Sequence, residues 1–340
     1  MDAVPAKTSN KPLLSVRSLV TEFPFRKREG AVRVVDGISL DMHEGERVSI
    51  VGESGSGKSI AVRSILGLVP VPGQVTGGEV IFKGRDLLTL REREMARIRG
   101  AEIALVFQDP MTSWNPVKRV GSQIKEALAL HGASNARQRQ ERTVELLARV
   151  GIPSPKERAE AYPHQFSGGM RQRGMIAMAL ANDPDLLIAD EPTTALDVTV
   201  QDQIIRRLRD LSENSGSAVL LITHNLALVS SLCDRVVVMY AGRILEQGTT
   251  QEIFSNPQHP YTLGLLRSVP RLGQKRGERL VGIPGNPLQA GAAERGCKFC
   301  SRCTFRIERC SEQEPAMERI SDTQSVRCWV KMSASGRGAA

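Results

Sequence analysis

The sequence predicts an α/β fold built on a parallel sheet with helices on both of its faces, and three stretches predict it. The first is Gly52-Glu53-Ser54-Gly55-Ser56-Gly57-Lys58-Ser59, a G-x-x-x-x-G-K-S loop. It follows an apolar strand at 48–51 and opens a helix carrying Ile60, Ile65 and Leu66. The second is Leu186-Leu187-Ile188-Ala189-Asp190-Glu191, an apolar run ending in two carboxylates, and the third is the apolar run 218–223, which ends in His224. Strands apolar at every position are buried on both faces, the mark of a parallel sheet covered on both sides.

Before the loop, residues 13–23 and 32–42 alternate apolar and polar side chains with β-branched types, as half-buried strands of an N-terminal antiparallel region do. A charged turn at 26–30 lies between them. After the helix come a Pro- and Gly-rich loop at 70–78, a short strand at 79–82, a charged helix near 91–98, and a buried strand at 103–107 that runs into Gln108-Asp109-Pro110. Periodicity then turns helical, with Val120, Ile124, Ala127 and Leu128 on one apolar stripe and Val144, Leu147 and Ala148 on another. A helical insert is therefore expected at about 111–181. Residues 236–240 and 243–247 read as a hairpin over Ala241-Gly242, and helical patterning resumes near Gln251. The Pro- and Gly-rich segment 270–293 reads as the linker to a small tail domain.

These elements bring chemistry with them. Glycines let a backbone wind tightly enough to aim several N–H groups at phosphates, and the following helix adds its positive end, so the loop Gly52 to Ser59 is expected to hold a nucleoside triphosphate. Lys58 is placed to neutralise the β- and γ-phosphates and the Ser59 hydroxyl to take a position on Mg²⁺. Asp190, at a strand end, is a second Mg²⁺ ligand, and Glu191, one residue on, can reach a water at the γ-phosphate. Alone, such an acidic pair could simply cap a turn; a phosphate loop upstream needs it. His224 follows the same strand-end logic, on the rim where open α/β sheets bind ligands. Ser167-Gly168-Gly169 opens a helix and forms a second anion site by the same argument. Phe23, or else Phe25, is a candidate ring for stacking on the base, and it serves equally well as packing beneath a small sheet.

Bulk properties narrow the class. Hydrophobic residues make up 41% and charged residues 24% of 340, ordinary for a globular chain with ample core, in one large or two modest domains. No apolar run approaches the ~18 residues of a membrane helix. The polar first residues, 1–12, lack the apolar centre of a signal peptide, so the chain is expected in the cytoplasm. Net charge is +9, but the basic clusters at 26–28, 91–99, 137–142 and 206–209 are short, several are interleaved with glutamate as on exposed helix faces, and each reads as a solvated face. Only 4% of residues are aromatic, which argues against a base-stacking nucleic-acid binder.

The constellation from 13 to 258 resembles the ATP-binding subunit of ABC transporters, a P-loop NTPase of the ABC ATPase type. Gly52 to Ser59 matches the Walker A loop and Leu186 to Asp190 the Walker B strand. Glu191 matches the catalytic glutamate, Gln108 the Q-loop glutamine that also reaches Mg²⁺, and His224 the switch histidine. Ser167-Gly168-Gly169 matches the signature motif, although Met170 stands where glutamine is frequent, and Thr194-Ala195-Leu196-Asp197 matches the D-loop. The resemblance implies ATP and Mg²⁺ as ligands and a second ATPase subunit, because one subunit's phosphate loop and another's Ser-Gly-Gly helix end clamp the same ATP.

Finer features resemble the dipeptide and oligopeptide importers. They are Phe107-Gln108-Asp109-Pro110-Met111-Thr112-Ser113 with Asn115-Pro116, Tyr162-Pro163-His164-Gln165-Phe166-Ser167, and His259-Pro260-Tyr261-Thr262; Trp114 stands where leucine is usual. This branch implies a paralogous second ATPase, two transmembrane permease subunits and an extracytoplasmic peptide-binding protein, with the chain on the cytoplasmic face of the inner membrane as a peripheral subunit. Nickel importers share much of the core, so an importer of nickel or another solute stays open. So does a soluble ABC ATPase acting on nucleic acid or ribosomes, although such factors usually carry two of these domains. The expected organisation is an ATP-binding domain at 13–258, a C-terminal extension at 259–330 and a disordered tail at 331–340.

Five of the six cysteines lie at 297, 300, 303, 310 and 328; Cys233 stands apart in a helical stretch and reads as core packing. In a reducing compartment such clustering points to metal before disulfide. Cys297, Cys303, Cys310 and Cys328 match the cysteines of the peptide-importer extension, which the resemblance implies can hold a [4Fe–4S] cluster. Four thiolates suit Zn²⁺ equally. Cys300 departs from that pattern as a fifth candidate or a spare, and reduced thiols packing a small domain are the plain alternative.

Overall fold

The computed structural model describes residues 11–25, 30–132, 135–194, 196–269, 282–288, 295–332 and 338–339. The basic residues of the charged turn, Ala195 of the D-loop, most of the expected linker and most of the 331–340 tail lie outside the described residues.

The organising element is an eight-stranded sheet in the order Glu318–Arg319, Ser325–Val326, Arg243–Thr249, Arg235–Tyr240, Arg47–Val51, Ala218–Thr223, Leu186–Asp190, Ile103–Val106. From Arg235–Tyr240 to Ile103–Val106 every pairing is parallel. The two stretches read as doubly buried, Leu186–Asp190 and Ala218–Thr223, are buried at every residue. Alternate side chains feed two cores. Ile50, Ile188, Leu220 and Val237 face the helix Lys58–Ile65 and the N-terminal sheet, whereas Val51, Ala189, Leu221 and Val238 face the helical insert and the helices Val198–Ser215 and Leu226–Leu232.

A second sheet lies over the first core, ordered Ala31–Met42, Leu14–Pro24, Gln74–Phe82, Arg85–Asp86, with all pairings antiparallel. Its third strand is longer than the sequence indicated and absorbs Gly77 and Gly78. The register against Leu14–Pro24 slips beside these glycines, which fits a bulge, where glycine is favoured. Between 110 and 181 the described elements are helical: Pro110–Ser113, Val120–His131, Ala136–Arg149, Pro155–Ala159 and Gly168–Ala179, with one 3₁₀ turn at Pro163–Gln165. The hairpin over Ala241-Gly242 has both turn residues at positive φ, 44° and 85°, as a two-residue hairpin turn demands. Cys233 is buried, but it caps the end of Leu226–Leu232 in extended conformation and is not helical.

The C-terminal extension is less separate than a linker and small domain suggest. Ser325–Val326 pairs with Glu246 and Gln247 and so prolongs the main sheet. Cys297, Phe299 and Cys310 are buried in the same core as the insert. Two-residue strands carry no periodicity, which is why the pattern did not reveal them. Below this joint Glu246 is fully buried; its carboxylate accepts from the backbone N–H groups of Gln258 (2.7 Å) and His259 (3.0 Å) and from the Gln324 amide (2.9 Å).

Candidate active site

Four neighbouring parallel strands end on one edge of the sheet, and each delivers one part of the site. Register places Val51 beside Thr223, Asp190 beside Ile222, and Ala189 beside Val106. Gly52, His224, Glu191 and the Phe107-Gln108 pair therefore follow directly on adjacent strand ends.

The phosphate loop is shaped by what crowds it. Gly57 caps the helix Lys58–Ile65 at φ 99°, and a Cβ there would stand 2.5 Å from the Val34 carbonyl oxygen. A Cβ at Gly52 would run into the Met239 carbonyl oxygen. Lys58 is buried, and its ammonium donates to the carbonyls of Gly52 (2.7 Å) and Glu53 (2.9 Å) and to Ser56 Oγ (3.3 Å). Burial lowers its pKa below the usual lysine value, with Glu191, Asp190 and Glu53 pulling the other way. Ser59 donates its hydroxyl to Asp190 Oδ1 at 2.9 Å. Asp190 is buried and its pKa is raised, by desolvation first and by the neighbouring Glu191 charge, against the Ser59 hydrogen bond. A hydroxyl and a carboxylate side by side are hard oxygen donors of the kind Mg²⁺ takes, so this pair fits that ion.

Glu191 is the hub of the remaining groups. It sits at φ 46°, unusual for a residue with a side chain, and its N–H is held by the Ile222 carbonyl at 2.8 Å. Its Oε1 lies 3.1 Å from His224 Nδ1; its Oε2 accepts from Thr194 Oγ1 at 2.8 Å and lies 3.5 Å from Gln108 Nε2. Burial pushes this carboxyl up, but the His224 and Thr194 hydrogen bonds and the Lys58 charge outweigh it, so its pKa lies below the ordinary glutamate value. Glu191 thus stays ionised at neutral pH.

The other expected residues occupy defined places. Ser167 caps the helix Gly168–Ala179, its Oγ accepting from Met170 N at 3.2 Å. Asp197 caps Val198–Ser215 in the same way, through Val200 N at 2.9 Å. These helix ends are neighbours, because a Cβ on Gly169 would meet Val200 Cγ1 at 2.9 Å. Phe23 is half-buried, with its ring against Gly73 of the loop before Gln74–Phe82. Trp114, an exception in its motif, is buried, donates from Nε1 to the Arg171 carbonyl at 3.2 Å and packs on Gly174. It ties the segment after Gln108 to the helix that Ser167 opens.

Among the cysteines the expected metal group is not formed. No cluster of three or more His, Cys, Asp or Glu among the described residues is arranged to hold a metal ion. The thiols are nonetheless mutual neighbours: burial pushes Cys297 and Cys328 up to about 12, and the nearby thiols Cys303 and Cys310 add to both shifts. Cys303 is raised by burial and then by Cys310 and Cys300.

Sequence reasoning overlooked the partners that the extension gives the phosphate loop. Glu53 N donates to the Tyr261 hydroxyl at 2.8 Å, and the Glu53 carboxylate pairs with Arg302 at 2.6 and 3.0 Å. Tyr261 had been visible only as part of His259-Pro260-Tyr261-Thr262, and no spacing rule links residues 249 positions apart.

A Gly-rich loop ahead of a helix, a serine–aspartate oxygen pair and a glutamate–histidine–glutamine group on one sheet edge, flanked by a helical insert, have the layout of an ATP-binding cassette. The ABC transporter family profile matches residues 35–194, and the profile of the oligopeptide/dipeptide transporter C-terminal region matches 245–310. The chain is 48% identical over 94% of its length to the oligopeptide transport ATP-binding protein OppD of Bacillus subtilis, covering 88% of that protein. It is 47% identical over 92% of its length to the dipeptide transport ATP-binding protein DppD of Escherichia coli, covering 95% of it. Among solved structures, the dimeric post-hydrolysis state of the ATP-binding cassette MJ0796 bound to ADP and Pi superposes with a TM-score of 0.63 at 28% identity, over 70% of this chain and 98% of that one. The chain belongs to the ATP-binding proteins of ABC transporters, in the branch that carries the oligopeptide/dipeptide transporter C-terminal region.

Proposed function

We propose that this chain hydrolyses ATP to energise import of dipeptides and oligopeptides through separate transmembrane subunits. The observation that carries the reading is the joining, in one chain, of the cassette's ATP site to the C-terminal region of the peptide-transport branch. Membrane permeases and an extracytoplasmic binding protein are the partners, and the second ATPase is a paralogue. No helix among the described residues is long and apolar enough to cross a membrane, which suits a peripheral subunit at the cytoplasmic face.

The site geometry supports the following roles. Phosphate oxygens take over Lys58 from the Gly52 and Glu53 carbonyls, while the N–H groups of Gly55, Gly57, Lys58 and Ser59 line the phosphates. Ser59, Asp190 and Gln108 would hold Mg²⁺, which neutralises phosphate charge when bound. Glu191, kept ionised, orients a water for in-line attack on the γ-phosphorus and accepts its proton; ADP leaves with the electron pair of the broken P–O bond. His224 and Thr194 fix the carboxylate. Phe23 stacks on the base. Ser167, Gly168, Gly169 and Asp197 face the partner's nucleotide, and closure of the two subunits drives the permeases. Residues 13–258 form the cassette and 259–330 the extension.

Cells lacking this chain should fail to accumulate labelled di- and oligopeptides, and wild type should restore uptake. Unchanged peptide uptake in the deletion, with redundant systems removed, would overturn the peptide assignment.

The thiols of Cys297, Cys303, Cys310 and Cys328 form a donor set suited to a [4Fe–4S] cluster, and Cys300 stands beside them as a spare. Four soft sulfur donors fit, provided they close up and lose their protons. Anaerobically purified protein should be brown and carry iron and sulfide. A colourless protein with stoichiometric zinc would replace the cluster by Zn²⁺, and one without either metal would leave the thiols as packing.

A further inference from the structure

The seven residues from Cys297 to Cys303 do more than hold sulfur. Between the thiols, Phe299 is buried among the rings of Tyr240, Tyr261 and His259, with centroids 5.4, 5.2 and 5.8 Å away. Lys298 donates to Asp36 Oδ2 at 2.8 Å and to the Ala241 carbonyl at 3.1 Å, on the strand and turn that back the phosphate loop. Arg302 reaches the loop itself. Its guanidinium meets both carboxylate oxygens of Glu53, Nη1 to Oε2 at 2.6 Å and Nη2 to Oε1 at 3.0 Å.

The fork is held from behind. Arg302 Nε donates to the Pro284 carbonyl at 2.8 Å, Nη2 lies 3.4 Å from the Ile283 carbonyl, and Nη1 lies 3.5 Å from the Tyr240 hydroxyl. The Arg302 side chain is only 4% exposed. A planar guanidinium saturated on one side and bidentate on the other fixes its partner's position in a way that a lysine ammonium does not. The partner is the first variable residue of the phosphate loop, whose carbonyl also holds Lys58 and whose N–H is capped by Tyr261.

We infer that Arg302 is a positioning residue of the ATP site: through Glu53 it holds the phosphate loop in its binding shape, so the C-terminal extension sets the affinity for nucleotide. Arg302 does not itself touch phosphate; its charge is already matched by Glu53. Loss of the pair frees the loop to sample shapes that do not bind, and apparent affinity falls by the fraction of competent loops. The step at saturating ATP is untouched, because Glu191, His224 and Gln108 follow the ends of other strands and make no hydrogen bond to Glu53 or Arg302.

The test is a two-residue cycle in the full-length chain, using titration with a fluorescent ATP analogue and steady-state hydrolysis. Arg302→Met and Glu53→Gln should each weaken nucleotide binding about ten-fold, within the range that coupling between sites usually spans. The double variant should be no weaker than either alone, and Arg302→Lys should recover part of the loss. For the Arg302 variants KM for ATP should rise while kcat stays within about two-fold. A Kd unchanged in Glu53→Gln, or a double variant whose loss is the product of the two singles, would overturn the assignment. If Arg302→Met does not fold, Glu53→Gln with Arg302→Lys completes the cycle, since neither removes a buried charge without leaving a polar group in its place.

Discussion

Glu191→Gln binds ATP as wild type does and hydrolyses it about 10²- to 10⁴-fold more slowly, the contribution of a positioned acid–base group. Binding survives because the amide keeps the size of the carboxylate and can still accept from Thr194 and meet His224, which lie 2.8 and 3.1 Å from the native oxygens. Turnover is lost because an amide cannot take the proton of the attacking water. Single-turnover hydrolysis and equilibrium ATP binding on the same preparation check both halves. Hydrolysis at the wild-type rate would remove Glu191 from its role. So would a loss of binding in proportion to the loss of rate, since that would place Glu191 in the loop's architecture and not in the chemistry. The same substitution should abolish the rescue of peptide uptake.

Gly57→Ala should weaken ATP binding by about two orders of magnitude, which corresponds to ~3 kcal/mol. Two costs add here. A side-chain residue at φ 99° carries strain of about 1–3 kcal/mol, and its Cβ would press on the Val34 carbonyl oxygen, with Met239 Cε at 3.0 Å as a second neighbour. The first neighbour is backbone and cannot swing away, so the loop and the start of its helix must move. Gly55→Ala is the matched control: its φ of 79° carries comparable strain, but nothing stands within 4 Å of the added carbon. Equilibrium titration of the two variants separates strain from collision. Equal losses would show that crowding by Val34 contributes nothing.

Much of this architecture could be read from the chain, and each success has a local cause. Leu186–Asp190 and Ala218–Thr223 were legible because strands buried on both faces leave no polar position to confuse the pattern. The Ala241-Gly242 turn was legible because two positive φ values on a two-residue hairpin need a glycine. Gly52 to Ser59, Asp190, Glu191 and His224 announced themselves at strand ends, and the parallel register places them on one edge. Other features depend on distance in the chain. The Arg302–Glu53 pair and the Trp114 indole on the Arg171 carbonyl join residues that no period or motif relates. The strand Ser325–Val326 is too short to alternate, so the extension looked detachable although it shares hydrogen bonds and core with the cassette.

That short strand has a consequence for the life of the chain outside its transporter. Arg243–Thr249 would otherwise end the sheet with a row of bare N–H and C=O groups next to buried Ile244, Leu245 and Glu246. Such a rim recruits strands from other molecules. Ser325–Val326 occupies it at Glu246 and Gln247, and Glu318–Arg319 closes outside as a two-residue strand exposed at both positions. These two short strands thus act as a hem, sealing the sheet against self-association while the chain awaits its membrane partners.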